Sequence, residues 1–153
     1  MKPTGRSSFH FHDPGQLIDG DLEVHLLETR PGAIERGIVP EYKFAMRHLG
    51  TGKAIGRISL RTESTPKLMQ FGGHIGYEVA PDHRGQRYAA RSCKLLLPLA
   101  AQHGINPVLI TCDPDNWASR RTCELAGGKL VDIIEAEVKP GMFRQACRYH
   151  IEL

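Results

Sequence analysis

A strand that runs straight into a basic helix through a glycine turn leaves few folds open. The segment Gly76-Tyr-Glu-Val-Ala-Pro-Asp-His-Arg-Gly-Gln-Arg-Tyr-Ala-Ala90 has that form. Gln70–Ala80 is rich in β-formers and glycine and predicts a long strand ending at Pro81, with Gly72-Gly73 as a bulge or a point of close approach. Asp82–His103 predicts a helix, because Ala89, Cys93, Leu96 and Ala100 recur along one face and Gly104 stops it. Pro98 inside it should kink it. The first turn of a helix leaves backbone N–H groups unpaired, and its dipole favours negative charge. Gly85 lets a ligand approach that backbone closely. Arg84, Arg87, Arg91 and Lys94 are spaced to share one helical face, which suits a ligand with several phosphates. The same residues could also form a solvated basic face.

The rest of the chain supplies a sheet. Leu22–Leu27 alternates as a strand, and Glu41–Leu49 and Ala54–Arg61 form two more around the turn Gly50-Thr-Gly-Lys53. Pro107–Cys112 is a short buried strand, and Asp113-Pro-Asp-Asn116 opens a second helix to Ala126. Leu130–Lys139 and Cys147–Leu153 close the order as strands. That order predicts an α/β or α+β fold with a mixed sheet. At 153 residues the chain is one domain. We expect a loosely structured N-terminal arm over 1–20 and the domain over 21–153.

Other classes are set aside by composition. A net charge of +3 is too small to imply nucleic acid by itself. No apolar run approaches the ~20 residues that cross a bilayer, and Met1–His12 lacks the core of a secretory signal. The expected location is the cytoplasm. Cys93, Cys112, Cys123 and Cys147 form no CxxC pair and read as reduced thiols. No metal is expected.

Two motifs resemble the GNAT N-acetyltransferase superfamily. Its signature loop is Arg/Gln-x-x-Gly-x-Gly/Ala, and this chain has Arg84-Gly-Gln-Arg-Tyr-Ala89. The first and sixth positions fit, and the fourth, normally Gly, is Arg87. Thr111–Gly128 is similar to the later GNAT helix: Asn116, Ser119, Glu124, Ala126 and Gly127 match, and Gly128 replaces the common Phe. Asp115-Asn-Trp-Ala-Ser-Arg-Arg121 is most similar to the branch acetylating protein N-termini and small amines.

The resemblance implies a mostly antiparallel sheet of six to seven strands with helices on both faces, splayed between the strands of 70–80 and 107–112. It implies acetyl-CoA as donor and a primary amine as acceptor, joined by direct attack in a ternary complex. By the resemblance, Tyr77 and Val79 would bond the pantetheine arm. Arg84, Gly85, Gln86, Arg87, Tyr88 and Ala89 would hold the pyrophosphate, with Asn116 and Ser119 near the pantetheine end. Many relatives protonate the leaving thiolate with a Tyr seven residues after the Asn, and that position is Cys123. His74 and Glu78 are the candidate bases, and Tyr77 is a further candidate acid. Glu124 reads also as a surface partner of Arg120, four residues earlier. Glu28–Pro40 is too short for the two helices that many relatives carry before their second strand. The acceptor groove should therefore be open, or closed by a second copy in a homodimer. The alternative reading is a non-catalytic acyl-CoA-binding or regulatory module of the same fold.

Overall fold

The computed structural model describes residues 9–153. The chain begins with β1 (Leu17–Asp19) and β2 (Leu22–Arg30), followed by a short 3-10 turn at Ile34–Arg36. β3 (Glu41–His48) and β4 (Ala54–Arg61) come next, then the short helix α1 (Pro66–Gln70) and β5 (Ile75–Val79). α2 (Tyr88–Gln102) leads into β6 (Val108–Cys112), then α3 (Trp117–Leu125), β7 (Lys129–Lys139) and β8 (Met142–Ile151). β1 to β5 form one antiparallel sheet in sequence order, and a second antiparallel sheet has the order β6-β8-β7. The mixed, mostly antiparallel fold class holds. Its eight strands lie in two sheets, rather than six or seven in one.

Alternation explains the core. Tyr42, Phe44 and Met46 of β3 are buried, with polar or small residues between them. They meet Ile55, Ile58 and Leu60 from β4, and Cys93, Leu96, Leu99 and Ala100 from α2. Each large aliphatic side chain so buried contributes about 1.5–3 kcal/mol. The helix runs through Pro98 without interruption, so the expected kink does not end it.

Two boundaries differ from expectation. The strand foreseen over 70–80 is only Ile75–Val79, because α1 and a turn at Gly72-Gly73 take its first half. Both glycines have positive φ. A Cβ on Gly73 would sit 2.5 Å from the Leu109 carbonyl oxygen, so the sequence's close-approach reading holds there and the bulge reading does not. α2 starts at Tyr88, six residues later than foreseen, since Pro81–His83 forms a separate 3-10 turn and Gly85 has φ +87°.

Residues 9–16 carry no strand or helix, and β1 lies inside the stretch assigned to the arm. The arm's first eight residues lie outside the described residues. Phe11 meets the Tyr42 ring edge-on at 5.1 Å, and the His12 amide donates to the Tyr42 hydroxyl at 2.7 Å.

Candidate active site

The two sheets meet at one point and then part. The His74 amide donates to the Leu109 carbonyl at 2.8 Å, and His74 Nδ1 accepts the Leu109 amide at 2.9 Å. Beyond that clamp, β5 pairs only with β4. The Ala80 amide donates to Ile55 of β4, and the His74 carbonyl accepts from Arg61 of the same strand. Peptide groups alternate sides along a strand. Tyr77 and Val79 therefore turn theirs to the open edge. A cavity of ≈ 600 Å³ fills the gap.

The cavity walls come from three places. β5 supplies Tyr77, Glu78 and Val79; the turn before α2 supplies His83, Arg84, Gly85 and Arg87; and Tyr88 and Ala89 open the helix. α3 contributes Ala118, Arg121, Thr122 and Leu125, with Asn116 and Ser119 at its start. The intrahelical ladder of α2 begins with the Arg91 amide on the Arg87 carbonyl, so the amides before it lack intrahelical acceptors. Arg84, Arg87 and Arg121 stand beside this positive helix end. The arrangement can hold a polyanion at one end and an extended amide-bearing arm along β5.

The basic row foreseen on α2 does not act as a unit. Arg91 is spent on Asp19 at 2.9 Å and Asp21 at 2.8 Å, tying the helix to the β1–β2 turn. Tyr88 donates its hydroxyl to Asp21 at 2.7 Å. Arg84 Nε donates to the Val79 carbonyl at 3.0 Å, which closes the turn over the end of β5. Arg87 is the one non-glycine residue of positive φ among the described residues, at +64°. It occupies the loop position where the resembling family writes Gly.

Asn116 caps α3, its Oδ1 accepting the Ser119 amide at 3.0 Å. The Tyr77 hydroxyl lies 2.7 Å from Ser119 Oγ and 3.9 Å from Cys123 Sγ. Burial, then the neighbouring Cys123, pushes the Tyr77 hydroxyl far above its usual pKa, so it stays protonated. Cys123 is fully buried. Contact with Cys112, then burial, raises its thiol, while Cys112 is drawn down to about 7 by contacts with Cys123, Ser119 and the Arg120 charge. Arg120 donates to the Tyr149 hydroxyl and the Pro114 carbonyl, and Glu124 pairs with Arg121 rather than with Arg120.

Of the foreseen site residues, Gln86 is not among those lining the cavity, and neither are His74 and Cys123. His74 is 2% exposed and lines a different cavity. Its Nε2 meets Ser64 Oγ at 2.8 Å, so both ring nitrogens are engaged. Burial, then the Arg61 charge, lowers its pKa to about 4. The sequence reading also passed over His83, Ala118, Arg121, Thr122 and Leu125. The α3 residues recur at helical spacing on one face, and that periodicity was the available signal.

A splayed strand edge, a helix N-terminus and the cavity between them define a site for an extended ligand with a polyanion at one end. The model of the acetyltransferase (GNAT) domain matches residues 16–129, and the chain belongs to that family, whose donor is acetyl-CoA. A comparison with curated proteins gave no match. Among solved structures, the chain resembles RimL, a ribosomal L7/L12 alpha-N-protein acetyltransferase in complex with coenzyme A. The identity is 15% and the TM-score 0.65, covering 90% of this chain and 98% of that one. An acetyltransferase from Agrobacterium tumefaciens matches at 18% identity and TM-score 0.65, over 97% of this chain and 100% of that one. The microcin C7 self-immunity acetyltransferase MccE, in complex with acetyl-CoA and AMP, matches at 19% identity and TM-score 0.59. That match covers 74% of this chain and 61% of the other.

Proposed function

We propose that this chain transfers the acetyl group of acetyl-CoA to a primary amine of a small molecule or peptide, by direct attack within a ternary complex. The observation that carries the reading is the cavity between β5 and α3, which joins an open strand edge to the positive end of α2. The amides from Gly85 to Ala89, with Arg84, Arg87 and Arg121, would bind the pyrophosphate. The Tyr77 and Val79 backbone would bond the pantetheine arm, with the Val79 carbonyl exchanging its bond from Arg84. Asn116 and Ser119 would flank the thioester end.

The chemistry then follows from proton positions. The amine must lose a proton to attack, and Glu78, exposed on β5, is the base or the anchor of a water that serves as one. The departing thiolate needs a proton, and Tyr77 keeps its own at any ordinary pH. Cys123 and His74 do not line this cavity, so the reading gives the proton transfers to Tyr77 and Glu78. The connection from β2 to β3 holds only one 3-10 turn, leaving Leu27, Ile34 and Ile38 exposed. A second copy covering them would close the acceptor side. Four free thiols suit work in the cytoplasm.

The test is calorimetric titration with acetyl-CoA, followed by an assay for released CoA thiol on a panel of small amines and free-amino-terminus peptides. Micromolar binding that weakens in Arg84→Ala and Arg121→Ala, with turnover of an amine, is expected. Binding without any turnover selects the non-catalytic acyl-CoA-binding module. No binding up to millimolar concentration overturns both.

A further inference from the structure

Two of the four cysteines face each other across a strand pair, and a third stands beside Tyr77. Cys112 ends β6, and Cys147 lies directly across the β6–β8 ladder from it. Cys123 comes from α3 and lies 3.9 Å from the Tyr77 hydroxyl. Cys93, on α2, is buried in the core. Residues directly opposed in an antiparallel ladder point to one face with Cα atoms ~4.5–5.5 Å apart. A disulfide spans Cα separations of ~4.4–6.8 Å. Cys112 is the only cysteine of the four that is not buried.

The surroundings of Cys112 favour attack. Arg120 is pinned by Tyr149 and by the Pro114 carbonyl, and its charge acts on the Cys112 sulfur. Cys123 first, then Ser119 and Cys147, hold the Cys112 thiol below its ordinary pKa. Thiolate, not thiol, is the nucleophile in disulfide exchange.

We propose that Cys112 is a thiol–disulfide exchange site for low-molecular-weight disulfides, with Cys147 as its resolving thiol. The Cys112 thiolate attacks one sulfur of the small disulfide. The small disulfide's S–S bond breaks, one half leaves as thiolate and takes up a proton, and a mixed disulfide forms on Cys112. Cys147 then gives up its proton and attacks the Cys112 sulfur. The second half leaves as a thiol, and a cross-strand disulfide joins β6 to β8. Two protein thiols are oxidised by two electrons, and one small disulfide is reduced to two thiols.

The experiment incubates the full chain with glutathione disulfide at pH 7.5, quenches it in acid, and maps adducts and cross-links by mass spectrometry. The expected first product is a glutathione adduct on Cys112, followed by its loss and a Cys112–Cys147 cross-link. Cys112→Ser should slow thiol loss by about tenfold or more, and Cys147→Ala should trap the adduct on Cys112. An adduct forming first on another cysteine, or an unchanged rate in Cys112→Ser, overturns the exchange site. A Cys112–Cys123 cross-link in the unmodified chain overturns the resolving role. That mapping decides the point even if Cys147→Ala does not fold.

Discussion

His74 and Leu109 are joined twice: the His74 amide donates to the Leu109 carbonyl at 2.8 Å, and the Leu109 amide donates to His74 Nδ1 at 2.9 Å. The side chain does for one strand what a backbone carbonyl would do, at the point where β5 and β6 separate. That holds His74 at the junction of the two sheets, outside the cavity beside β5. A histidine with two engaged nitrogens in a buried setting resists protonation, and its pKa falls to about 4 from 6.5.

The pH dependence of stability follows from that shift. Between pH 6.5 and about 4, the unfolded chain protonates this histidine and the folded chain does not. The unfolded state binds more protons there, so stability is full above pH 6.5 and falls as the pH drops through that window. The full loss is on the order of 3 kcal/mol. His74→Asn keeps an acceptor near the Leu109 amide and removes the titration. Denaturant melts from pH 7 to 5 should show a flatter slope in the variant than in the parent. Equal slopes would remove His74 from the account.

Gly73 sits beside the same clamp. It has φ +64°, and an added Cβ would lie 2.5 Å from the Leu109 carbonyl oxygen, which is backbone and cannot swing aside. Gly73→Ala should cost about 1–3 kcal/mol and lower Tm by several degrees. Gly85→Ala, also at positive φ but with nothing within 4 Å, should cost only the conformational part. Thermal melts of the two variants separate crowding from backbone preference.

These positions show what local sequence can and cannot carry. Strand alternation over β3, the glycine turn before α2 and the Asn116 cap are written in short stretches, and all three were legible. The splay between the strands of 70–80 and 107–112 came from the family resemblance and not from local pattern, because the point where it starts depends on His74 meeting Leu109, 35 residues away. Period-two alternation set His74 on one face with Glu78 and so made both candidate bases. Only the turn at Gly72-Gly73 reveals that His74 precedes the regular strand and lines another cavity. The basic row on α2 failed for a similar reason. Helical spacing gives a shared face, but Asp19 and Asp21 reach Arg91 from more than 60 residues upstream.

Arg87 occupies the left-handed region at the N-cap of α2, with no side-chain cap. A non-glycine residue there costs roughly 1–2 kcal/mol. Arg87→Gly should therefore raise thermal stability by about 1 kcal/mol. Its guanidinium lines the cavity beside Arg84 and Arg121, so the same change should weaken acetyl-CoA binding by several-fold at low salt. Opposite signs in a melt and in calorimetry would show that Arg87 exchanges backbone ease for a phosphate contact. A variant that gains both stability and affinity would mean that the side chain leans away from the ligand.

Tyr77 and Cys123 are neighbours with opposed expectations, since their atoms come within 3.9 Å but only Tyr77 lines the cavity. If Tyr77 donates the proton that the departing thiolate takes up, Tyr77→Phe should lower kcat by about 100-fold or more. KM for acetyl-CoA should change little, because the backbone contacts of β5 are kept. Ser119→Ala removes the partner 2.7 Å from the same hydroxyl and should give a smaller loss, through orientation. Cys123→Ala should leave kcat within a few-fold and cost stability instead, as a fully buried thiol exchanged for a methyl group. Steady-state kinetics on the three variants, with melts on each, ranks them. If Cys123→Ala lost the activity and Tyr77→Phe kept it, the proton would come from the thiol after all.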